Sequence, residues 1–254
     1  GSHAILNGIT FGGGVGMSIH AETRTSTEKT IWAMPEAAIG FFPDVGTSYV
    51  LSHISHQYGT AIGMYLGLCG ARLNGSDLVH LGLADNYVET KYLPHLLTTP
   101  AAPADHTLAT DPIDAAEAGL HSVPITSPMT EQWEEFIVPK NELPPLSLTY
   151  EQLQCIGKCF EQKTVEDIVS SLKTYPTEKQ FVDNILNTLR IMSPLSLKVT
   201  HEALQRAKDM NLAQCLEQDY LVASHMMKNS EFYTGVKNVL IDKKRDEPAP
   251  WDFP

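Results

Sequence analysis

The stretch Phe11-Gly12-Gly13-Gly14-Val15-Gly16, followed by Met34-Pro35-Glu36 and then Gly40-Phe41-Phe42-Pro43-Asp44-Val45-Gly46, decides how this sequence is read. A glycine lacks Cβ, so a glycine cluster lets a ligand come close to backbone N–H groups. At the start of a helix those N–H groups have no intrahelical acceptor and favour negative charge. Glu36 and Asp44 come next, each flanked by proline and apolar residues rather than by other charges. A carboxylate in such surroundings is harder to ionise and becomes a proton-transfer group near neutral pH. Backbone donors for a developing oxyanion, combined with two acids of this kind, point to acyl chemistry.

Working outward, residues 4–9 read as a short buried strand ending near the Asn7-Gly8 turn signal. Residues 15–21 suit a short helix packed close to it. Residues 22–33 read as extended, with a turn at Thr27-Glu28-Lys29. Pro43 and Gly46 bracket a loop around Asp44, and helices are expected over 47–53 and 57–68. Asn74-Gly75-Ser76-Asp77 reads as a turn and N-cap for a helix over 78–81, and 85–89 as a further strand. Strand and helix therefore alternate through the first ninety residues or so, which predicts an α/β fold with parallel pairing. No clean internal repeat is visible.

The expected organisation has four parts. Residues 1–3 (Gly1-Ser2-His3) look like a tag remnant and are set aside. Residues 4–96 form the α/β core. Prolines interrupt every periodic stretch of 97–148, which reads as an insertion or connector with short helical pieces at 112–119 and 130–136. Residues 149–254 are helical, with helices over 149–161, 165–175, 178–192, 194–208, 212–228 and 231–240, then a proline-rich tail. Pro194 sits well in a first helical turn after Ser193.

Composition excludes several classes of function. The 254 residues are 43% hydrophobic and 19% charged, as in a globular protein with a sizeable core. A net charge of −12 repels nucleic acid and anionic lipid, and no run of Lys or Arg offsets it. No apolar stretch reaches the length of a membrane span. Cys69, Cys155, Cys159 and Cys215 are too few for a disulfide framework. Cys155 and Cys159, one helical turn apart, read as a core-facing pair rather than a metal or disulfide site. His53 and His56 have no third ligand nearby, so no metal site is expected. No Gly-Lys-Ser/Thr follows the glycines, which excludes a P-loop; the dinucleotide spacing fails at Met17, and Ser18 lacks the closing glycine of a nucleophile elbow.

These motifs resemble the crotonase (enoyl-CoA hydratase/isomerase) superfamily, nearest to its 3-hydroxyisobutyryl-CoA hydrolase branch. The glycine turn, the 34–46 run, Ser193-Pro194-Leu195-Ser196-Leu197-Lys198, Phe232-Tyr233-Thr234-Gly235-Val236 and Leu240-Ile241-Asp242-Lys243 carry the resemblance. It implies a crotonase-like spiral α/β core with a helical C-terminal region. On this resemblance the opening part of the family fold, with the second oxyanion donor, is expected to be missing from this chain. The resemblance further implies hydrolysis of a short 3-hydroxyacyl-CoA thioester in valine breakdown, in a mitochondrial or cytoplasmic setting. Glu36 would be nucleophile or general base and Asp44 would orient or relay the proton, while the Gly13 N–H would hold the thioester oxygen. Gly12, Gly14, Asn7, Gly8, Phe41 and Phe42 would contact substrate. Lys198, Lys237 and Lys243 are the expected cations for the CoA phosphates. No cofactor or metal is implied, since coenzyme A belongs to the substrate; relatives often form trimers, so a homo-oligomer is one expectation. Enoyl-CoA hydratases carry a second glutamate two residues past the glycine triplet, where this chain has Gly16. The alternatives to hydrolysis are a hydratase or isomerase, or a non-catalytic acyl-CoA-binding relative.

Overall fold

The computed structural model describes residues 1–54, 61–98 and 133–252. The chain divides into two compact units. The first comprises Gly1–Thr10, Met17–Trp32 and Leu73–Leu146, and the second Phe11–Gly16, Ala33–Arg72 and Ser147–Pro254. This differs from the linear division expected from sequence, because residues 33–72 group with the C-terminal helices. The expected helical piece at 112–119 lies outside the described residues.

Strands β1 (His3–Leu6), β2 (Ile9–Phe11), β3 (Thr23–Ser26), β4 (Ile31–Ala33), β5 (Leu73–Asn74) and β6 (Asn86–Tyr87) form two three-stranded sheets, ordered β1-β3-β6 and β2-β4-β5. In the first unit β3 pairs in parallel with both β1 and β6, as the alternating pattern predicts. The expected strand over 4–9 is shorter and earlier. His3 opens β1 with its Nε2 2.9 Å from Thr25 Oγ1, and its ring lies 4.3 Å from that of Trp133. Chain direction changes at Gly8, whose φ of 122° suits only glycine.

The central strand β3 is polar yet wholly buried. Its polar groups are satisfied by residues distant in sequence. Arg24 donates Nε and Nη2 to the two oxygens of Asp85 at 3.0 and 2.9 Å, and Ser26 Oγ donates to the Gly75 carbonyl at 2.8 Å. A buried polar strand is tolerable only when its donors are matched in this way. Helix α4 (Gly75–Leu81) starts at Asn74, whose side chain accepts from the Asp77 N–H while Asp77 accepts from the Asn74 N–H. This capping box makes it longer than the predicted 78–81. Of the expected connector, the described part packs into this unit: Trp133 is buried with Val88 and Leu93, and the Pro144 carbonyl accepts from Ser76 Oγ at 2.6 Å.

The second unit is built on helices. Helix α1 begins in it and runs Gly13–Ile19, two residues earlier than predicted. Helices α2 (Thr47–Ser52) and α3 (Ala61–Cys69) follow, and α5 (Leu93–Thr98) lies in the first unit. Every residue of α3 is buried, so this helix needs neighbours on all sides. They include α2, α6 (Tyr150–Phe160), α8 (Lys179–Ile191) and α9 (Pro194–Ala207). A Cβ on Gly63 would lie 1.7 Å from the Leu51 carbonyl oxygen, so only glycine permits the α2–α3 crossing. Helices α7 (Val165–Lys173), α10 (Leu212–Met226) and α11 (Ser230–Val236) complete the series, and a π turn covers Lys237–Ile241. Their positions match the predicted helices to within a turn because Thr149, Thr164, Ser193 and Asn211 all act as side-chain N-caps. Cys155 and Cys159 are fully buried and free, facing the core.

Candidate active site

Glu36, Asp44 and the glycine turn all belong to the second unit. Glu36 opens a 3₁₀ turn, Glu36–Ile39, that pattern reading does not anticipate. The turn ends at Gly40, whose φ of 70° places it in the left-handed region. Two close approaches from α11 pin it. A Cβ on Gly40 would lie 2.3 Å from the Glu231 carbonyl oxygen, and a Cβ on Gly235 would lie 2.3 Å from the Ile39 carbonyl carbon. The Ala37 carbonyl accepts from the Ser193 N–H at 3.1 Å, and Ser193 Oγ in turn donates to the buried Glu231 carboxylate. The backbone that carries Glu36 is therefore held by the far end of the chain.

The Glu36 side chain is 7% exposed and lies against the glycine turn. A Cβ on Gly12 would sit 2.5 Å from Glu36 Oε1, so the carboxylate occupies the space that the missing side chain leaves. Gly12 has a φ of 48° and donates its N–H to the Ala33 carbonyl at 3.4 Å. Gly13 and Gly14 then enter α1 exposed, with open space where a Gly13 Cβ would be. Glu36 Oε2 is buried and accepts no hydrogen bond among the described residues. Burial pushes the Glu36 pKa up to about 8, the Asp44 charge adds to the rise, and a hydrogen bond from its own N–H opposes it.

Asp44 is half-buried, and burial raises its pKa too, against a hydrogen bond from its own N–H. Its carbonyl accepts the N–H and the Oγ1–H of Thr47 at 3.0 and 2.7 Å, which starts α2. The next two residues, Val45 and Gly46, both have positive φ, 56° and 75°. A β-branched residue in that region is a genuine outlier. Val45 packs on the glycine turn: a Cβ on Gly16 would meet Val45 Cβ and Cγ2 at 2.5 Å. The position at which hydratases carry their second glutamate thus has no room here for any side chain.

Other expected contacts fall elsewhere. Asn7 and Gly8 belong to the first unit. Asn7 Oδ1 accepts from the hydroxyls of Thr27 and Thr90 at 3.0 and 3.1 Å, and the Gly8 carbonyl accepts from the Ile31 N–H, which is turn chemistry. Phe42 has no exposed surface and is a core residue, so it offers nothing to a ligand. Phe41 is partly exposed and packs between Phe42 and Phe232. Lys198 pairs with Glu166 at 2.8 Å and Lys237 with Asp242 at 2.5 Å, while Lys243 lies exposed with a φ of 61°.

Two groups were missed from sequence. Arg72 holds its guanidinium 5.8 Å over the Phe11 ring, next to the glycine turn, with no carboxylate paired to it among the described residues. Asp219, on α10, is a buried acid whose Oδ2 accepts the Gly46 N–H at 2.7 Å and whose Oδ1 accepts from Ser48 Oγ at 3.4 Å. Burial pushes its pKa up to about 6, and the Asp44 charge contributes. The available signal was its position on the stripe formed with Cys215 and Met226, the buried residues of that helix.

Comparison with known proteins gives the family and the fold. The family model described as enoyl-CoA hydratase/isomerase matches residues 3–254. A protein of Xenopus laevis named 3-hydroxyisobutyryl-CoA hydrolase, mitochondrial, is 36% identical over 98% of this chain and 58% of its own length. A Neurospora crassa protein named small ribosomal subunit protein mS47 is 34% identical over 98% of this chain and 47% of its own length. The chain therefore spans about half to three-fifths of these relatives. Among solved structures, a carnitinyl-CoA dehydratase from Mycobacterium thermoresistibile superposes with a TM-score of 0.73 at 27% identity, covering 98% of this chain and 62% of that one.

Proposed function

The chain belongs to the enoyl-CoA hydratase/isomerase family and has its crotonase fold, and we propose that within it this protein hydrolyses a short 3-hydroxyacyl-CoA thioester. The observation that carries this reading is the acid set. A buried, unpartnered Glu36 oxygen lies at the glycine turn within charge-interaction range of Asp44, and Val45 fills the place of a second glutamate. Hydration of a C=C bond uses two acids on one water, which this arrangement does not provide across the turn. Attack at a thioester carbonyl needs one base or nucleophile beside an oxyanion donor.

In this reading the thioester oxygen points at the Gly13 N–H, one of the first N–H groups of α1, which have no acceptor in the helix. Ionised Glu36 either removes a proton from water as its oxygen bonds to the carbonyl carbon, or bonds to that carbon itself. The C–S bond then breaks and the sulfur leaves with a proton relayed through Asp44; on the first route this step yields the free acid, and on the second a water then hydrolyses the anhydride formed between Glu36 and the acyl group. Phe41 supplies an apolar wall, and Arg72 takes the place of Lys198 and Lys237 as the cation for a CoA phosphate, since both lysines are already paired. A branched 3-hydroxyacyl group and a mitochondrial setting follow the name of the Xenopus laevis relative, and a role in valine breakdown is our extension of that reading.

The test supplies 3-hydroxyisobutyryl-CoA and crotonyl-CoA in parallel, reading free thiol and loss of the enoyl absorbance. Thiol release from the first without hydration of the second is expected. Hydration without thiol release would overturn the reading in favour of a hydratase. The relative named as a ribosomal protein supports one second reading, an assembly role. Co-sedimentation with small ribosomal subunits and no thiol release would carry it.

A further inference from the structure

We propose that Asp219 is a positioning residue, which latches the Asp44–Gly46 loop from α10 and so aims Asp44 at the glycine turn. Thr47 ties the Asp44 carbonyl to the start of α2, but the strained residue is the next one. Val45 sits at a φ of 56°, a conformation that a β-branched side chain resists, and such backbone persists only where the surroundings over-determine it. Two contacts do so. On one side Val45 fills the space over Gly16. On the other, the Gly46 N–H donates to Asp219 Oδ2 at 2.7 Å, a short bond to a charged acceptor in a buried place. Ser48 Oγ donates to the other oxygen, so both carboxylate oxygens are used on the loop and the start of α2.

Nothing else on α10 requires an acid at this position. A carboxylate 5% exposed on a helix stripe with Cys215 and Met226 would ordinarily be an apolar residue. Burial, together with the charge of Asp44, disfavours its charge. An acid retained there against that cost is explained by the N–H it accepts. Losing that acceptor frees Gly46, lets Val45 relax towards negative φ, and turns Asp44 away from Glu36.

The role of Asp44 rests on the hydrolase reading above; the latch does not. The test compares D219N, which keeps an acceptor oxygen for Gly46, with D219L, which keeps volume but has none. Amide exchange at Gly46 in the folded protein should be about 10- to 100-fold faster in D219L and near wild type in D219N, the worth of one hydrogen bond to a charged group. In thioesterase assays D219L should lose a similar factor in kcat with KM within about twofold, and D219N should recover most of it. Equal Gly46 exchange in D219L and D219N overturns the latch. So does an unprotected Gly46 amide in the wild-type protein, a measurement that stands even if D219L fails to fold. A protected Gly46 in a protein that releases no CoA sinks the hydrolase reading instead and leaves the latch in place.

Discussion

Replacing Glu36 with glutamine should trade activity for stability, with a pH dependence that follows from the site. Glu36 is 7% exposed, and burial, helped by the charge of Asp44, moves its pKa from 4.5 to about 8. The folded protein therefore holds this proton more tightly than the unfolded chain does. Stability contributed by the group is fully present below pH 4.5 and is lost as pH rises to about 8. At about 1.4 kcal/mol per tenfold change in proton affinity, the whole interval corresponds to at most about 5 kcal/mol. About 3 kcal/mol of that falls between about pH 5.5 and about pH 9. Glutamine cannot ionise and is spared this loss. The advantage of E36Q over wild type, measured by urea unfolding, should thus grow by about 3 kcal/mol across that range, or roughly 6–12 °C in Tm. The same variant should lose about 10²–10⁴ in kcat, because it has neither base nor nucleophile. A stability difference that is equal at the two pH values would refute the burial argument. Retained thiol release by E36Q would refute the assignment of Glu36.

Three further outcomes follow from named contacts. G16E, which restores a hydratase-like glutamate, should cost about 1–3 kcal/mol by overpacking against Val45 and give no hydration of crotonyl-CoA. The double variant G16E/V45G should regain stability, since it removes both the clash and the φ of 56° at Val45, and thermal melts compare them. G235A places a Cβ 2.3 Å from the Ile39 backbone, so it should shift the turn bearing Glu36 and lower kcat by about 10², with KM little changed. R72A should raise KM about fivefold with kcat unchanged, an effect that fades at high salt; an unaltered KM would remove Arg72 from the CoA site.

Local chemistry was legible in the sequence. The helix starts at Thr149, Ser193 and Asn211 were readable because a cap and the residues it serves lie within a few positions of each other. Glu36 and Asp44 were readable for the same reason, as one short run of proline, aromatic and acid. Groups whose environment is set from afar were not. Strand β3 could be read as extended, but not as the buried centre of its sheet, because Asp85 and Gly75, which satisfy Arg24 and Ser26, lie some sixty and fifty residues on. Phe42 looked like a pocket wall and is core. Lys198 looked available, and it is claimed by Glu166 from another helix. The pairing of Lys237 with Asp242, five residues on, was within reach of inspection.

The same distinction explains why the backbone that follows Asp44 was beyond sequence reasoning although the acid itself was not. Local preference at Val45 argues against the left-handed backbone it adopts. The conformation exists because Gly16, nearly thirty residues earlier, leaves room for the valine, and Asp219, over 170 residues later, accepts the next N–H. Each of those residues taken alone reads as ordinary: a helical glycine, an acid on a helix. Their convergence on Val45 and Gly46 fixes the backbone that carries Asp44, a carboxylate within charge-interaction range of Glu36. Where tertiary contacts override local preference this strongly, the strain is best accounted for by what it positions. That account ties the substitutions together, since G16E presses on Val45, D219L releases Gly46, and both should act through the orientation of Asp44.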